Sequence, residues 1–210
     1  MEVTPEITIT QEDNMELMSR YPDNYFDLAI VDPPYGIDAA SDKRGNTKHG
    51  KAKAQSKSYG QKDWDKSKPG FEYYHQLFRV SKNQIIWGAN HLGQMPESSC
   101  WIVWDKQNGD NGYADCELAY SSFKSAVRMV SIRWHGMLQH NMKEKEIRIH
   151  PTQKPVALYE WLFKNYAKQG DKILDSHLGS ESIAIALNRM NQIEKMNLTL
   201  TACELDNDYY

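Results

Sequence analysis

The apolar positions of this 210-residue chain fall into short runs, some alternating with polar residues and some nearly unbroken. Ile7-Thr8-Ile9-Thr10 alternates as a half-exposed strand does, and leads through Gln11-Glu12-Asp13-Asn14 into a short helix over 15–20. After a turn at Tyr21-Pro22-Asp23-Asn24, the run Phe26-Asp27-Leu28-Ala29-Ile30-Val31 is almost continuously apolar, the pattern of a strand covered on both faces in a parallel sheet. It runs straight into Asp32-Pro33-Pro34-Tyr35-Gly36. Periodic apolar residues then vanish from 37 to 69, which predicts a long loop, and such loops in compact domains are usually functional or disordered. Regular patterns return as a helix over 71–80 and strands over 84–87, 100–104 and 115–120. A mixed, partly basic stretch over 121–149 has no element assigned to it. The last third reads as an amphipathic helix over 155–168, a strand over 172–175, a helix over 181–191 and a strand over 198–203. Strands alternating with helices predict an α/β fold, a three-layer sandwich on a mostly parallel sheet, formed as one domain.

Composition narrows the class. Hydrophobic residues make up 40% and aromatics 11%, as in a folded globular protein. No run approaches the ~20 apolar residues of a membrane span, and the N-terminus lacks the regions of a signal peptide, so a cytoplasmic location without a membrane partner is expected. Cys100, Cys116 and Cys203 are odd in number and widely spaced, which signals neither a disulfide framework nor a metal site. The net charge of -3 carries no global nucleic-acid signature, but residues 43–68 hold nine Lys/Arg against Asp63 and Asp65. That segment is a candidate for tracking phosphates, although composition alone favours a solvated loop.

Four motifs lie at predicted strand ends or helix starts, where open parallel sheets bind ligands. Asp32-Pro33-Pro34-Tyr35 ends the most apolar strand. The exocyclic amine of a nucleobase is a poor nucleophile because its lone pair is delocalised into the ring, and hydrogen-bond acceptors on its hydrogens pull the nitrogen towards tetrahedral geometry. Asp32 offers a carboxylate, Pro33 a carbonyl whose direction the ring of Pro34 restrains, and Tyr35 a face on which an extruded base can stack. The second motif, Ile173 to Ser182, is a strand, a Gly179-containing turn and a helix start, an arrangement that offers backbone N–H groups to an anion. The third, Glu204 in Cys203-Glu204-Leu205-Asp206, ends the next strand at the spacing that places a carboxylate on ribose hydroxyls. The fourth, His150-Pro151-Thr152-Gln153-Lys154-Pro155, opens the amphipathic helix, with Thr152 as a possible cap and Lys154 placed to meet an anion. Each also has a plain structural reading as a turn, a βα connection, a surface acid or a helix entry.

In this order the motifs resemble the beta class of DNA amino-methyltransferases, which puts the catalytic motif first, then a target-recognition region, then the cofactor motifs. The resemblance covers nearly the whole length. It implies a Rossmann-like methyltransferase sheet, circularly permuted so that the catalytic half precedes the cofactor half. It further implies transfer of a methyl group from S-adenosylmethionine to a flipped base in DNA. Asp32, Pro33, Pro34 and Tyr35 would hold the target base. Asp175, Gly179, Ser180 and Ser182 would cradle the methionine part of the cofactor, Glu204 its ribose, Thr152, Gln153 and Lys154 its carboxylate end, and Asp13 and Asn14 its adenine. Residues 36–70 would be a mobile basic loop and 106–149 the target-recognition region, both facing DNA, and homodimers are common in the class. Asp at position 32 favours N6 of adenine over N4 of cytosine, where Ser is commoner. Two departures stand out: Glu181 replaces a second glycine of the cofactor turn, and the sequence stops at Tyr209-Tyr210 where the class continues into a helix. They leave open a catalytically silent nucleic-acid-binding or partner subunit of the same fold.

Overall fold

The computed structural model describes residues 7–37, 64–93, 95–109, 114–135 and 138–210. In chain order its strands are β1 (Ile7–Gln11), β2 (Leu28–Val31), β3 (Gln84–Trp87), β4 (Cys100–Asp105), β5 (Cys116–Ser121), β6 (Arg128–Ser131), β7 (Trp134–His135), β8 (Leu138–Gln139), β9 (Lys172–Asp175) and β10 (Thr199–Glu204). The helices are α1 (Asn14–Ser19), α2 (Phe71–Val80), α3 (Ala89–Leu92), α4 (Val156–Tyr166) and α5 (Ser182–Ile193). Eight strands form one sheet in the order β1-β10-β9-β2-β3-β5-β4-β6, and β7 with β8 makes a separate hairpin. Within the eight-stranded sheet, among the described residues, only β5 runs against its neighbours, pairing antiparallel with both β3 and β4.

The unbroken apolar run of β2 explains the layering. Its side chains alternate between faces, so Leu28 and Ile30 join one buried cluster with α4 and α5, while Ala29 and Val31 join another with α1, α2 and α3. A helical layer therefore covers each face of the sheet. Each fully buried Val, Leu or Ile contributes about 1.5–3 kcal/mol, and β2, buried at every position, draws on both sides.

Several boundaries differ from the sequence reading. Regular β2 starts at Leu28, with Phe26 making only an isolated bridge to Ser81, and β5 lies one residue later than expected. Within 121–149, β6 went unassigned because it is an outer strand of the sheet with Val130 as its one buried residue. Thr152 is not the cap of α4. The N-cap is Pro155, and the Val156 N–H donates instead to the Glu146 carboxylate at 3.1 and 3.2 Å. Glu146 was invisible as a cap because it reaches the helix from outside the local window that capping motifs occupy. Most of the basic segment 43–68 lies outside the described residues; its end forms a single 3₁₀ turn at Trp64–Lys66.

Candidate active site

Neighbouring strands β1, β10, β9, β2 and β3 all run the same way, so their carboxyl ends share one edge. From β9 the chain crosses through α5 to β10, and from β2 it crosses through α2 to β3 on the other side. Because the crossovers diverge between β9 and β2, a crevice opens at their carboxyl ends. A pocket of about 640 Å³ lies there, a size typical of small-molecule sites. Its wall includes Glu12 after β1, Asp32 and Pro34 after β2, Ser176, His177 and Gly179 after β9, and Glu204 at the end of β10.

On the β2 side, both oxygens of Asp32 are engaged. Oδ1 accepts from the Tyr35 hydroxyl at 2.6 Å, and Oδ2 meets the ammonium of Lys154, whose side chain is 3% exposed. Lys154 also donates to the Tyr35 oxygen at 3.2 Å, and its Nζ lies 5.5 Å from the Trp87 ring centre. Behind it stands Glu117 of β5, with Oε2 3.2 Å from Nζ in an ion pair that lacks hydrogen-bond alignment. Glu117 is held in turn by Lys106. Burial pushes the Asp32 carboxyl above its usual range, and Lys154 offsets only part of that. Burial acts in the same direction on Glu117, but two ammonium groups outweigh it and hold that carboxyl low. For Lys154 burial disfavours the charge, and the two carboxylates overcome it and keep the ammonium charged.

Tyr35 is held by backbone and shape. Asp65 Oδ1 accepts from the Tyr35 and Gly36 N–H groups at 2.7 and 3.0 Å, and the ring stacks on His91 at 5.4 Å between centroids. Gly88, just past β3, has φ of 66°, and a Cβ there would lie 2.0 Å from Tyr35 Cε1. Only glycine fits both the left-handed backbone and the ring packed upon it.

The β9 and β10 side is built from a left-handed turn, backbone N–H groups that hold the Glu204 carboxylate, and a cluster of uncharged side chains. Gly179 has φ of 57° and its N–H donates to Glu204 Oε2 at 2.8 Å, while Glu204 Oε1 accepts from Asp206 N–H. His177 is buried, which lowers its pKa to about 4, so its ring is neutral. Asn14 Nδ2 lies 3.1 Å from His177 Nε2, which assigns the proton to Nδ1, 3.0 Å from Ser176 Oγ. Tyr73 from α2 closes the group, its hydroxyl 2.8 Å from Ser176 Oγ. Under this wall Asp175 accepts from the His177 N–H at 3.0 Å, and burial raises its carboxyl to about 7. Glu181, with φ of 58°, occupies the left-handed conformation that favours glycine, and its side chain is not part of the pocket wall.

Of the residues singled out from sequence, Asn14, Asp32, Pro34, Thr152, Gln153, Lys154, Gly179, Ser180 and Glu204 line this one pocket. Asp13, Pro33, Tyr35, Asp175 and Ser182 stand outside the wall. Asp13 caps α1 through the Met15 N–H at 2.7 Å, and Ser182 Oγ lies 3.0 Å from Ser180 Oγ. Gln153 spends its amide on residues 147–149, accepting from Ile149 N–H at 2.9 Å, and Thr152 turns back on His150. Lys154 also lines the pocket, and its ammonium is paired with Asp32 and Glu117. Sequence reasoning missed Glu117, Gly88, Tyr73 and His177. For Gly88 and His177 a signal existed, since each lies within two residues of the carboxyl end of a strand of the parallel set.

A family model described as DNA methylase, of the N6/N4 methyltransferase type, matches residues 64–209. Curated relatives include the Type II methyltransferase M2.LlaDCHI of Lactococcus lactis subsp. cremoris, 23% identical over 88% of this chain and 81% of the relative. Another is the Type II methyltransferase M2.MboI of Moraxella bovis, 25% identical over 85% of this chain and 77% of that protein. In fold, the chain is similar to M1.HpyAVI in its complex with S-adenosylmethionine, with a TM-score of 0.52, 14% identity and coverage of 97% and 95%. It is similar also to the cytosine-N4-specific PvuII DNA methyltransferase, with a TM-score of 0.56, 11% identity and coverage of 99% and 86%. The chain belongs to the N6/N4 DNA methylase family, whose members methylate exocyclic base amines in DNA with S-adenosylmethionine as the methyl donor.

Proposed function

We propose that this chain methylates N6 of an adenine extruded from DNA, and that Asp32 and the Pro33 carbonyl are the acceptors for the target amine. The observation that carries the reading is convergence: Asp32, at the end of β2, lines the same pocket as the Gly179 turn and Glu204. The acceptor for the amine and the elements suited to the methyl donor therefore face one volume. The pocket also suits S-adenosylmethionine chemically. Its wall carries the acids Glu12, Asp32, Glu72, Glu204 and Asp206 against Lys68 and Lys154, a balance that favours a cationic sulfonium. A carboxylate at the end of β10, Glu204, supports the reading of a ribose site, and the open turn at Gly179 allows close approach of backbone.

The sulfonium supplies an electrophilic methyl group, so what is asked of the protein is orientation and hydrogen-bond acceptance. Asp32 draws on an amine hydrogen and, once the nitrogen is methylated, is the carboxylate in reach of the proton it sheds. Tyr35, braced by Gly88, Asp65 and His91, holds the Asp32 carboxylate from one side. The Type II relatives support a sequence-specific modification role, and the aspartate at position 32 supports adenine over cytosine. Incubation with labelled S-adenosylmethionine and unmethylated genomic DNA, followed by nucleoside digestion, tests the assignment. N6-methyladenine is the expected product; N4-methylcytosine alone would overturn the choice of base.

A further inference from the structure

We propose that Glu117 is a positioning residue for methyl transfer: it gives the buried Lys154 ammonium a second carboxylate partner, so that Asp32 can release that ammonium and accept the target amine. The inference rests on the reading of Asp32 as the acceptor for that amine. Its starting point is that each Asp32 oxygen already has a partner, Oδ1 the Tyr35 hydroxyl at 2.6 Å and Oδ2 the Lys154 ammonium. An arriving N–H donor competes with an ammonium for Oδ2. A carboxylate neutralised at that range is also a weaker acceptor for a neutral amine.

Simple departure of Lys154 is not available. Its side chain is 3% exposed and its Nζ lies 5.7 and 5.5 Å from the Tyr35 and Trp87 ring centres, which leaves little room for water to replace a lost counter-charge. A buried cation left without a partner costs several kcal/mol. Glu117 removes that cost. Its Oε2 already lies 3.2 Å from Nζ, without the alignment of a hydrogen bond, so a small rotation of the lysine end moves the bond from Asp32 to Glu117. Glu117 is not part of the pocket wall. Lys106 anchors its other oxygen from the end of β4, which keeps Glu117 ionised and in place. The four groups alternate in sign, Lys106, Glu117, Lys154, Asp32, so after the exchange the ammonium stays paired with Glu117, while Asp32 keeps the Tyr35 hydroxyl and gains the amine hydrogen.

The test compares wild type with Glu117→Gln, Lys154→Met and the double variant, in labelled methyl transfer to unmethylated DNA. With Glu117→Gln the ammonium keeps Asp32 as its only carboxylate, and kcat falls about tenfold to a hundredfold while KM for S-adenosylmethionine stays within about twofold. Lys154→Met removes the need for a second partner, so adding Glu117→Gln to it lowers turnover no further. Unchanged kcat in Glu117→Gln, or a loss seen only in KM, overturns the proposal. Should Glu117→Gln not fold, the Lys154→Met pair decides: equal turnover upholds the exchange, and a further loss of about tenfold refutes it. Full turnover in Asp32→Ala would instead remove the reading of Asp32 on which the proposal stands.

Discussion

The two sides of the crevice hold polar atoms at buried strand ends by opposite means. Past β2, Asp32 belongs to a chain of alternating charges, every member of it largely buried. Past β9 and β10, the wall consists of a left-handed turn, backbone N–H groups on Glu204, and a neutral histidine bonded to Asn14 and Ser176. A buried charge network resists loss of one member but lets protons and partners exchange within it. A wall held by backbone donors and an uncharged ring sets shape, and its weak points are conformational strain and protonation. Under the proposed function, the first side carries the reaction and the second seats the ligand.

The sharpest way to break this contrast is Asp32→Ala. Methyl transfer should fall by about a hundredfold or more, while calorimetry shows cofactor binding nearly unchanged, because Lys154 retains Glu117 and the opposite wall is untouched. Comparable losses in binding and turnover would show that the two sides are not separable.

A smaller effect sharpens the view of the second side. The Asp175 pKa is raised to about 7, so its contribution to stability is full below the unfolded value near 4 and is lost as pH rises through 7. The His177 pKa is lowered to about 4, so its contribution is full above the unfolded value near 6.5 and is lost as pH falls through 4. Between those limits the slopes oppose each other. Denaturant unfolding of the wild type should therefore be nearly flat from pH 4 to 6.5 for this pair. Asp175→Asn should make stability rise with pH across that range, and His177→Phe should make it fall, each by on the order of 2–4 kcal/mol. Parallel profiles in the two variants would mean that the groups do not titrate as assigned.

The smallest effect concerns strain. Glu181 holds φ of 58° with a side chain, a conformation that costs about 1–2 kcal/mol outside glycine. Glu181→Gly relieves it but adds unfolded-state freedom, for a net gain of about 0.5–1 kcal/mol and a melting temperature a few degrees higher. A lower melting temperature would show that the Glu181 side chain makes a compensating contact.

Much of the fold was legible because it is written locally. The period-2 alternation of β1, the unbroken run of β2 and the amphipathic stretch of α4 are statements about adjacent residues, and burial follows from them directly. Edge strand β6 was not legible, since one buried valine among exposed residues makes no pattern. The same division holds at the site. Asp32, Gly179 and Glu204 were visible as chemistry at strand ends. Tyr73 was not, because an aromatic on an amphipathic helix reads as core until a partner such as Ser176 is placed beside it.

The sequence alone settled which strands are buried and which turns require freedom of φ, and it marked the acid between an apolar strand and two prolines as a candidate for chemistry. Those follow from short-range sterics and hydrophobic periodicity. What only the tertiary structure decided is who pairs with whom: Lys154 with Asp32, Glu117 behind it, Gly88 under the Tyr35 ring. Each of those contacts joins residues far apart in the chain, and their energies depend on burial that exists only once the sheet has brought the strand ends together.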